Sequence, residues 1–310
     1  MVRWYFAFAL FFGLSSSPAF ASLDAGLLAL VPPHTQVIAS VDVARARDSQ
    51  FGQFLLARLD TNNTEFQRFL AETGFDPRRD LEDFISASGG ASSNTLVLAR
   101  GNFDLSRIEA AARAHGASVE SYRGVRVILN TGRRQDSVVA FPASGIAVMG
   151  DLADVEGVIR NKNTATSLDP ALQQLIAGAS SNDAWFASLS AGALASPDVM
   201  RWNRPAGYAV QLVTQAAGGV RLGDPIFLNL DAFTNSTESA ASLAAALRVL
   251  ASTLQLQPHA DPSVAALASA FSTMKVTVNG NQVHLSVSLP EQDAERLVSY
   301  PPANRSHAQR

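Results

Sequence analysis

Residues 276–289 constrain the fold more than any other part of the sequence, because apolar and polar residues alternate through almost all of them. The apolar positions of this segment are Val276, Val278, Val283, Leu285, Val287 and Leu289. Strict alternation is typical of a β-strand with one buried face. Asn279 and Gly280 interrupt it, and this dipeptide favours a type I′ turn that pairs Val276 with Val283. The segment therefore predicts an antiparallel hairpin, since a slip of one residue would turn the apolar face to water.

Helical patterns stand between the other predicted strands. The strands are predicted at residues 36–43, 96–99, 119–122, 125–130, 137–141, 146–149, 185–189 and 225–233. Asp104 is a typical N-cap for a helix that Gly116 ends, and Asp151 begins another. Asn235 is predicted to cap a long helix, with Glu238 completing a capping box. This mixture of strands and helices predicts an α+β fold.

The same order of elements recurs in two parts of the chain. We predict two similar halves, each an antiparallel sheet with helices packed on one face. The predicted division is residues 1–21 signal peptide, 22–160 N-terminal half, 161–182 linker and short helix, 183–300 C-terminal half, and 301–310 disordered tail. The two halves share little amino-acid identity, so the sequence leaves open whether the repeat is a true duplication.

The first 21 residues have the pattern of a secretory signal peptide. Arg3 precedes an apolar run at residues 4–14, and Ala19-Phe20-Ala21 forms a small-x-small cleavage signal. The mature chain is then expected to begin at Ser22 and to be extracytoplasmic, either periplasmic or secreted. The apolar run falls well short of the roughly 20 residues that a membrane-spanning helix needs, so we expect no transmembrane domain after cleavage. An uncleaved N-terminal anchor is the alternative.

Composition excludes several classes of function. The chain contains no cysteine, so disulfides, thiol catalysis and thiolate metal sites are excluded and packing alone must hold the fold. A net charge of −3 does not indicate a nucleic-acid partner, which would call for a basic patch. The five histidines are scattered without ligand spacing, and phosphate-cradling and cofactor motifs are absent from the sequence. We therefore expect no metal and no cofactor.

Four segments resemble a group of uncharacterised bacterial exported proteins with repeated α+β halves. The segments are GFDPRRDLEDF, LARGNFDLSRIEAAAR, SYRGVRVIL and AVMGDLADVEGVI. They match a "GxFD" strand-to-helix step, a "YxGxxVY"-like strand and a closing "GD…V…I" helix, over residues 32–159 and less closely to residue 297. Ile128 departs from the pattern, where an aromatic residue is usual. The resemblance implies fold and export, and it assigns no activity and no site residue.

The sequence contains no recognisable catalytic motif, because the G-x-S-x-G and H-E-x-x-H patterns are both missing. We therefore predict a non-catalytic envelope binding or interaction module, whose partner is an unidentified envelope protein or a small ligand. Trp202, Tyr208 and Asp42 are the candidates to line its ligand groove, whereas Trp185 is expected to belong to the core.

Two alternatives stay open. The first is a hydrolase with a carboxylate-based site built from Asp42, Asp224 or Asp231, with a histidine or arginine within hydrogen-bond reach. Such acid–base chemistry needs shifted pKa values that a sequence does not reveal. His284 alternates with inward apolar residues, so it is expected on the solvent face, opposite Lys275. The second alternative is a structural partner that stays bound to an envelope complex.

Overall fold

The structure, a computed structural model, describes residues 25–58, 63–90, 94–129, 137–164, 167–190, 211–255 and 262–299. The predicted signal peptide, the predicted C-terminal tail and two groove candidates, Trp202 and Tyr208, lie outside these residues.

The described strands form one antiparallel sheet. They are β1 Val37–Asp42, β2 Leu81–Ser88, β3 Thr95–Gly101, β4 Ser118–Tyr122, β5 Val125–Leu129, β6 Val138–Ala143, β7 Ile146–Gly150, β8 Ala184–Ser188, β9 Val213–Arg221, β10 Ile226–Thr234, β11 Lys275–Asn279 and β12 Gln282–Leu289. Their order across the sheet is β11-β12-β10-β9-β8-β1-β2-β3-β7-β6-β5-β4. The α+β class is thus confirmed, as a continuous sheet that β1 and β8 join at its centre.

Eleven helices are described. They are α1 Ala25–Leu28, α2 Val43–Asp48, α3 Gln50–Ala57, α4 Thr64–Thr73, α5 Pro77–Asp80, α6 Leu105–Ala114, α7 Leu152–Asn161, α8 Pro170–Ala179, α9 Thr237–Gln255, α10 Pro262–Ser272 and α11 Glu291–Ser299. In the described part of the chain, each helix is too short or too polar to cross a bilayer.

Helices cover both faces of the sheet, which differs from the expected single covered face. Residues directly opposite each other in a sheet share a face, so Val148 lies on the same face as Leu98 and Ile85. Helices α7 and α8 pack on that face, through residues such as Val155 and Leu172. The opposite face of β3 and β7 packs against Ile108 of α6. Because β6, β7 and β3 are apolar on both sides, the sheet needs a helical layer on each side.

The terminal hairpin forms as an antiparallel pair, but its turn is one residue later than predicted. Asn279 pairs with Gln282, so Gly280 and Asn281 are the two loop residues. The side-chain amide of Asn281 donates to the carbonyl oxygen of Thr234 at 3.0 Å, and the Thr234 N–H donates to the Asn281 carbonyl oxygen at 2.9 Å. These contacts hold Asn281 in the loop. The pairing moves by two residues, so the apolar positions keep their common face.

Two further local expectations differ from the structure. Ser236, one residue after the predicted Asn235, caps α9, since its hydroxyl oxygen accepts from the Ser239 N–H at 3.2 Å. His284 lies opposite Thr277 and Asp231, whereas Lys275 lies opposite Ser286. The predicted caps Asp104 and Asp151 are confirmed at the starts of α6 and α7.

Candidate functional site

Asp42, a predicted groove residue, is the last residue of β1 and is only 5% exposed. Its carboxylate caps α2, accepting from the Arg45 N–H at 2.7 Å. The Arg45 side chain lies 3.3 Å from the other carboxylate oxygen. Both oxygens of Asp42 are therefore occupied by one neighbouring residue.

Asp183 lies beside Asp42, because β8 pairs with β1 in the centre of the sheet. The Asp42 N–H donates to the carbonyl oxygen of Asp183 at 3.0 Å. The Asp183 carboxylate accepts from Arg45 Nη1 at 2.9 Å and from the Leu222 N–H at 2.7 Å. The hydrogen bond to Asp183 raises the pKa of Arg45 further above its ordinary value.

The register extends this group across two more strands. Asp42 pairs with Asp83 on β2, and Asp83 pairs with Arg100 on β3. The four-residue row Asp183, Asp42, Asp83 and Arg100, with Arg45 beside it, is called the charged row. The oxygens of Asp42 and Asp183 already hold strand ends and a helix start together, so we interpret the charged row as structural.

The other two carboxylates of the hydrolase hypothesis lie apart from Asp42. Asp231 accepts from Gln282 Nε2 at 2.8 Å, and its Oδ1 is 2.8 Å from Nδ1 of His284. It is on β10, three strands from β1, which is about 14 Å at the usual strand spacing. Asp224 precedes β10, where its Oδ1 is 3.4 Å from the Glu291 amide nitrogen. The structure thus pairs Asp42 with Arg45 and Asp231 with His284, and it does not bring these two pairs together in one pocket.

Trp185 lies in the core, as expected, and is fully buried. It faces Ser40 on β1 and Gly219 on β9. A glycine opposite a large ring leaves room for the indole over the neighbouring strand.

A cleft of about 310 Å³ lies between α7 and the segment that precedes β1. Its lining residues are Ala29, Leu30, Val31, Pro32, Pro33, His34, Ala153, Asp154, Gly157, Val158, Arg160 and Asn161. We call it the α7 cleft. Its volume is at the lower end of the range for ligand pockets, which combine apolar walls with a few polar groups. Asp42 is not among its lining residues.

Local sequence explains how the cleft forms. Pro32 and Pro33 cannot continue α1, so the chain turns and passes along the side of α7 before β1 begins. Val31 and Val158 are almost completely buried, at 1% and 4% exposure, and they anchor the two walls to the core. The polar groups of the cleft are therefore attached to two segments that the core holds in place.

Asp154 is the acidic group of the α7 cleft. Its pKa is raised above its ordinary value, first by burial and then by the nearby Asp151 carboxylate, while His34 acts in the opposite direction. Arg160 lies near the C-terminal end of α7, where its Nη1 is 3.3 Å from the Glu156 carboxylate and 3.4 Å from the Tyr122 hydroxyl. The cleft therefore contains one arginine that has an acidic partner and one half-buried aspartate.

Gly157 forms part of the cleft in the middle of α7. A β-carbon at this position would meet, outside its own helix backbone, only Arg160 Nη2 at 3.8 Å among the described residues. A glycine inside a helix costs roughly 0.5–1 kcal/mol relative to alanine. Packing among the described residues therefore does not require a glycine here, and the wall of the cleft has no side chain at this position.

The sequence analysis did not single out the polar residues of this cleft. His34 and Asp154 are 120 positions apart in the sequence, and only the tertiary structure brings them together. The one signal was Gly157 inside a predicted helix, since an unexplained helix glycine often has a packing or functional reason. Among the described residues, no three His, Asp or Glu side chains are grouped as a metal ion would require.

Comparisons with known proteins give a fold and no family. No protein-family model matches the chain, and no curated protein matches it. The crystal structure of TP0453 in form III is similar, with a TM-score of 0.52 and 9% identity over 90% of this chain and 98% of that one. Crystal form IV of TP0453 has a TM-score of 0.51 and 9% identity over 88% and 96% of the two chains. The likeness shows a common fold.

Proposed function

We propose that this chain is an exported, non-catalytic binding protein that holds a small ligand in the α7 cleft. The observation that carries the proposal is the α7 cleft, in which Gly157 leaves the middle of the helix without a side chain. The lining combines apolar residues such as Leu30 and Pro32 with the charged residues Asp154 and Arg160, so the cleft offers both kinds of contact to a ligand.

Export is the second part of the proposal, and it is supported by the basic, apolar and small-residue pattern of the first 21 residues. We expect the protein isolated from its native cells to begin at Ser22 and to be outside the cytoplasm. Intact-mass measurement of the isolated protein tests this. A cytosolic protein that retains Met1 would contradict export and leave the cleft proposal standing.

Binding is tested with a panel of small fragments, half neutral and half charged, followed through amide NMR shifts of the wild-type protein. We expect bound fragments to shift the amides of α7 and of residues 29–34. Gly157→Leu should abolish these shifts, because the new side chain projects into the cleft.

Gly178→Leu is the matched control, because Gly178 is also inside a helix and does not line the cleft, and outside its own helix backbone no described atom lies within 4 Å of its added β-carbon. This variant should bind fragments as the wild type does. Fragments that bind only elsewhere, or that bind Gly157→Leu unchanged, would refute the proposed function.

A further inference from the structure

We propose that the α7 cleft selects ligands that carry a protonated amine next to an apolar group, with the Asp154 carboxylate as the partner of the ammonium. The proposal rests on the proposed function, because it names the ligand class of the same cleft.

The carboxylates of Asp151 and Asp154 differ in their partners. Asp151 accepts from the Asp154 N–H at 2.8 Å through one oxygen and from Asn94 Nδ2 at 2.9 Å through the other. Among the described residues, no lysine or arginine lies within ion-pair distance of Asp154. Burial, the nearby Asp151 charge and a side-chain hydrogen bond with Asp151 raise the pKa of Asp154, and the favourable effect of His34 offsets them only in part.

The arginine of the cleft has an acidic partner on its own helix. Arg160 Nη1 lies 3.3 Å from Glu156, one turn away on the same helix. This exposed i,i+4 pair gives Arg160 an acidic partner on its own helix, so Asp154 is not the carboxylate that holds the arginine in place.

The net field of the cleft then follows from its charges. Asp154 and Arg160 line the cleft with opposite charges, and beside this lining α7 and its caps carry Asp151, Glu156 and Lys162. The N-terminus of α7 adds roughly half a positive charge. The acidic side chains of this helix and its caps outnumber the basic ones by three to two, so a small negative excess remains beside the cleft and favours a cation over an anion.

The cleft also has an apolar wall that can contact the rest of the ligand. Val158 and Val31 are apolar and continuous with the core, and Leu30 and Pro32 extend the same wall. The bare backbone at Gly157 lets an apolar group approach the helix closely. A ligand with one ammonium and one compact apolar group satisfies both parts of the lining.

Three probes of equal ring size test the proposal at neutral pH and low salt: cyclohexylammonium, cyclohexanol and cyclohexanecarboxylate. The readout is the dissociation constant from amide NMR shifts of α7 and residues 29–34. We expect cyclohexylammonium to bind about tenfold more tightly than cyclohexanol, as a charge-assisted hydrogen bond provides. Cyclohexanecarboxylate should bind more weakly than cyclohexanol.

Asp154→Asn removes the charge and keeps the size of the side chain, so cyclohexylammonium should fall to the affinity of cyclohexanol. Asp293→Asn is the matched control, because Asp293 is also the third residue of its helix and does not line the cleft. Both variants change the net charge by one, and only the first should lose the preference for the ammonium.

The outcomes separate this proposal from the proposed function. If cyclohexanol and cyclohexylammonium bind the cleft equally and Asp154→Asn has no effect, the ligand class is wrong and the binding cleft stands. Tighter binding of cyclohexanecarboxylate would overturn the ligand class in the same way. If neither these probes nor the fragment panel shifts the cleft amides, both proposals fail.

Discussion

Replacing Asp183 is expected to loosen the junction at the centre of the sheet. Asp183 is 8% exposed, and its two carboxylate oxygens bond Arg45 and the Leu222 N–H. The first bond connects α2 to the start of β8, and the second connects β8 to the end of β9. The variant Asp183→Ala removes both bonds at once.

The expected magnitude comes from the two bonds separately. Loss of the acceptor for a partly buried N–H costs about 1–2 kcal/mol of unfolding free energy. The Arg45 side chain is 47% exposed, so solvent screens its ion pair, which adds about 1 kcal/mol. Asp183→Ala should therefore lose about 2–3 kcal/mol, which corresponds to a fall in Tm of about 5 °C.

Asp183→Asn separates the two contributions, because its amide oxygen still accepts from the Leu222 N–H while the charge is lost. We expect it to cost about 1 kcal/mol. Urea denaturation of the two variants and the wild type measures the difference. Equal losses for Asn and Ala, or a loss below about 0.5 kcal/mol for Ala, would refute the assignment of the Leu222 bond as the larger contribution.

Three other substitutions test local features of the fold. Arg78 lowers the pKa of Asp76 through a side-chain hydrogen bond, so the stabilisation is present above about pH 4 and is lost as the pH falls through the lowered value. Asp76→Asn should therefore show a shallower acid limb in a series of thermal melts, and an unchanged limb would contradict this. Arg248 Nη2 donates to the Val276 carbonyl oxygen at 2.9 Å on the outer edge of β11, so Arg248→Met should expose that edge and increase self-association in sedimentation velocity. Gly280 has φ +58° and open space around it, so Gly280→Ala should cost about 1–2 kcal/mol through backbone strain alone, and denaturation showing no loss would argue against that conformation.

Comparison of the sequence expectations with the structure shows where local patterns suffice. Asp104 and Asp151 cap their helices as predicted, and Gly116 follows α6 with φ +83°. A cap needs only the few residues next to it, so its signal is complete in a short window. The α+β class was predictable for the same reason.

Expectations that depended on a neighbouring strand or loop were less accurate. The Asn279-Gly280 turn was expected, but the contacts of Asn281 with Thr234 shift the loop by one residue. The sequence predicts helices on one face of each sheet, because local patterns show how apolar a strand is. They do not show which helix packs on each of its faces. Helices α6 and α7 in fact cover opposite faces of the same strands.

The sequence by itself determined the types of the elements and many of their boundaries, because helix and strand periods and caps are properties of neighbouring residues. It also determined that packing, without disulfides, must hold the chain together. Only the tertiary structure decided that β1 and β8 join the sheet, that Arg45 meets Asp183 across 138 residues, and that residues 29–34 form a cleft with α7. The physical reason is that these contacts form between residues far apart in the sequence, when helices and strands bury their apolar surfaces against one another. A short stretch of sequence shows which of its own residues are apolar, and it does not show which other element will cover them.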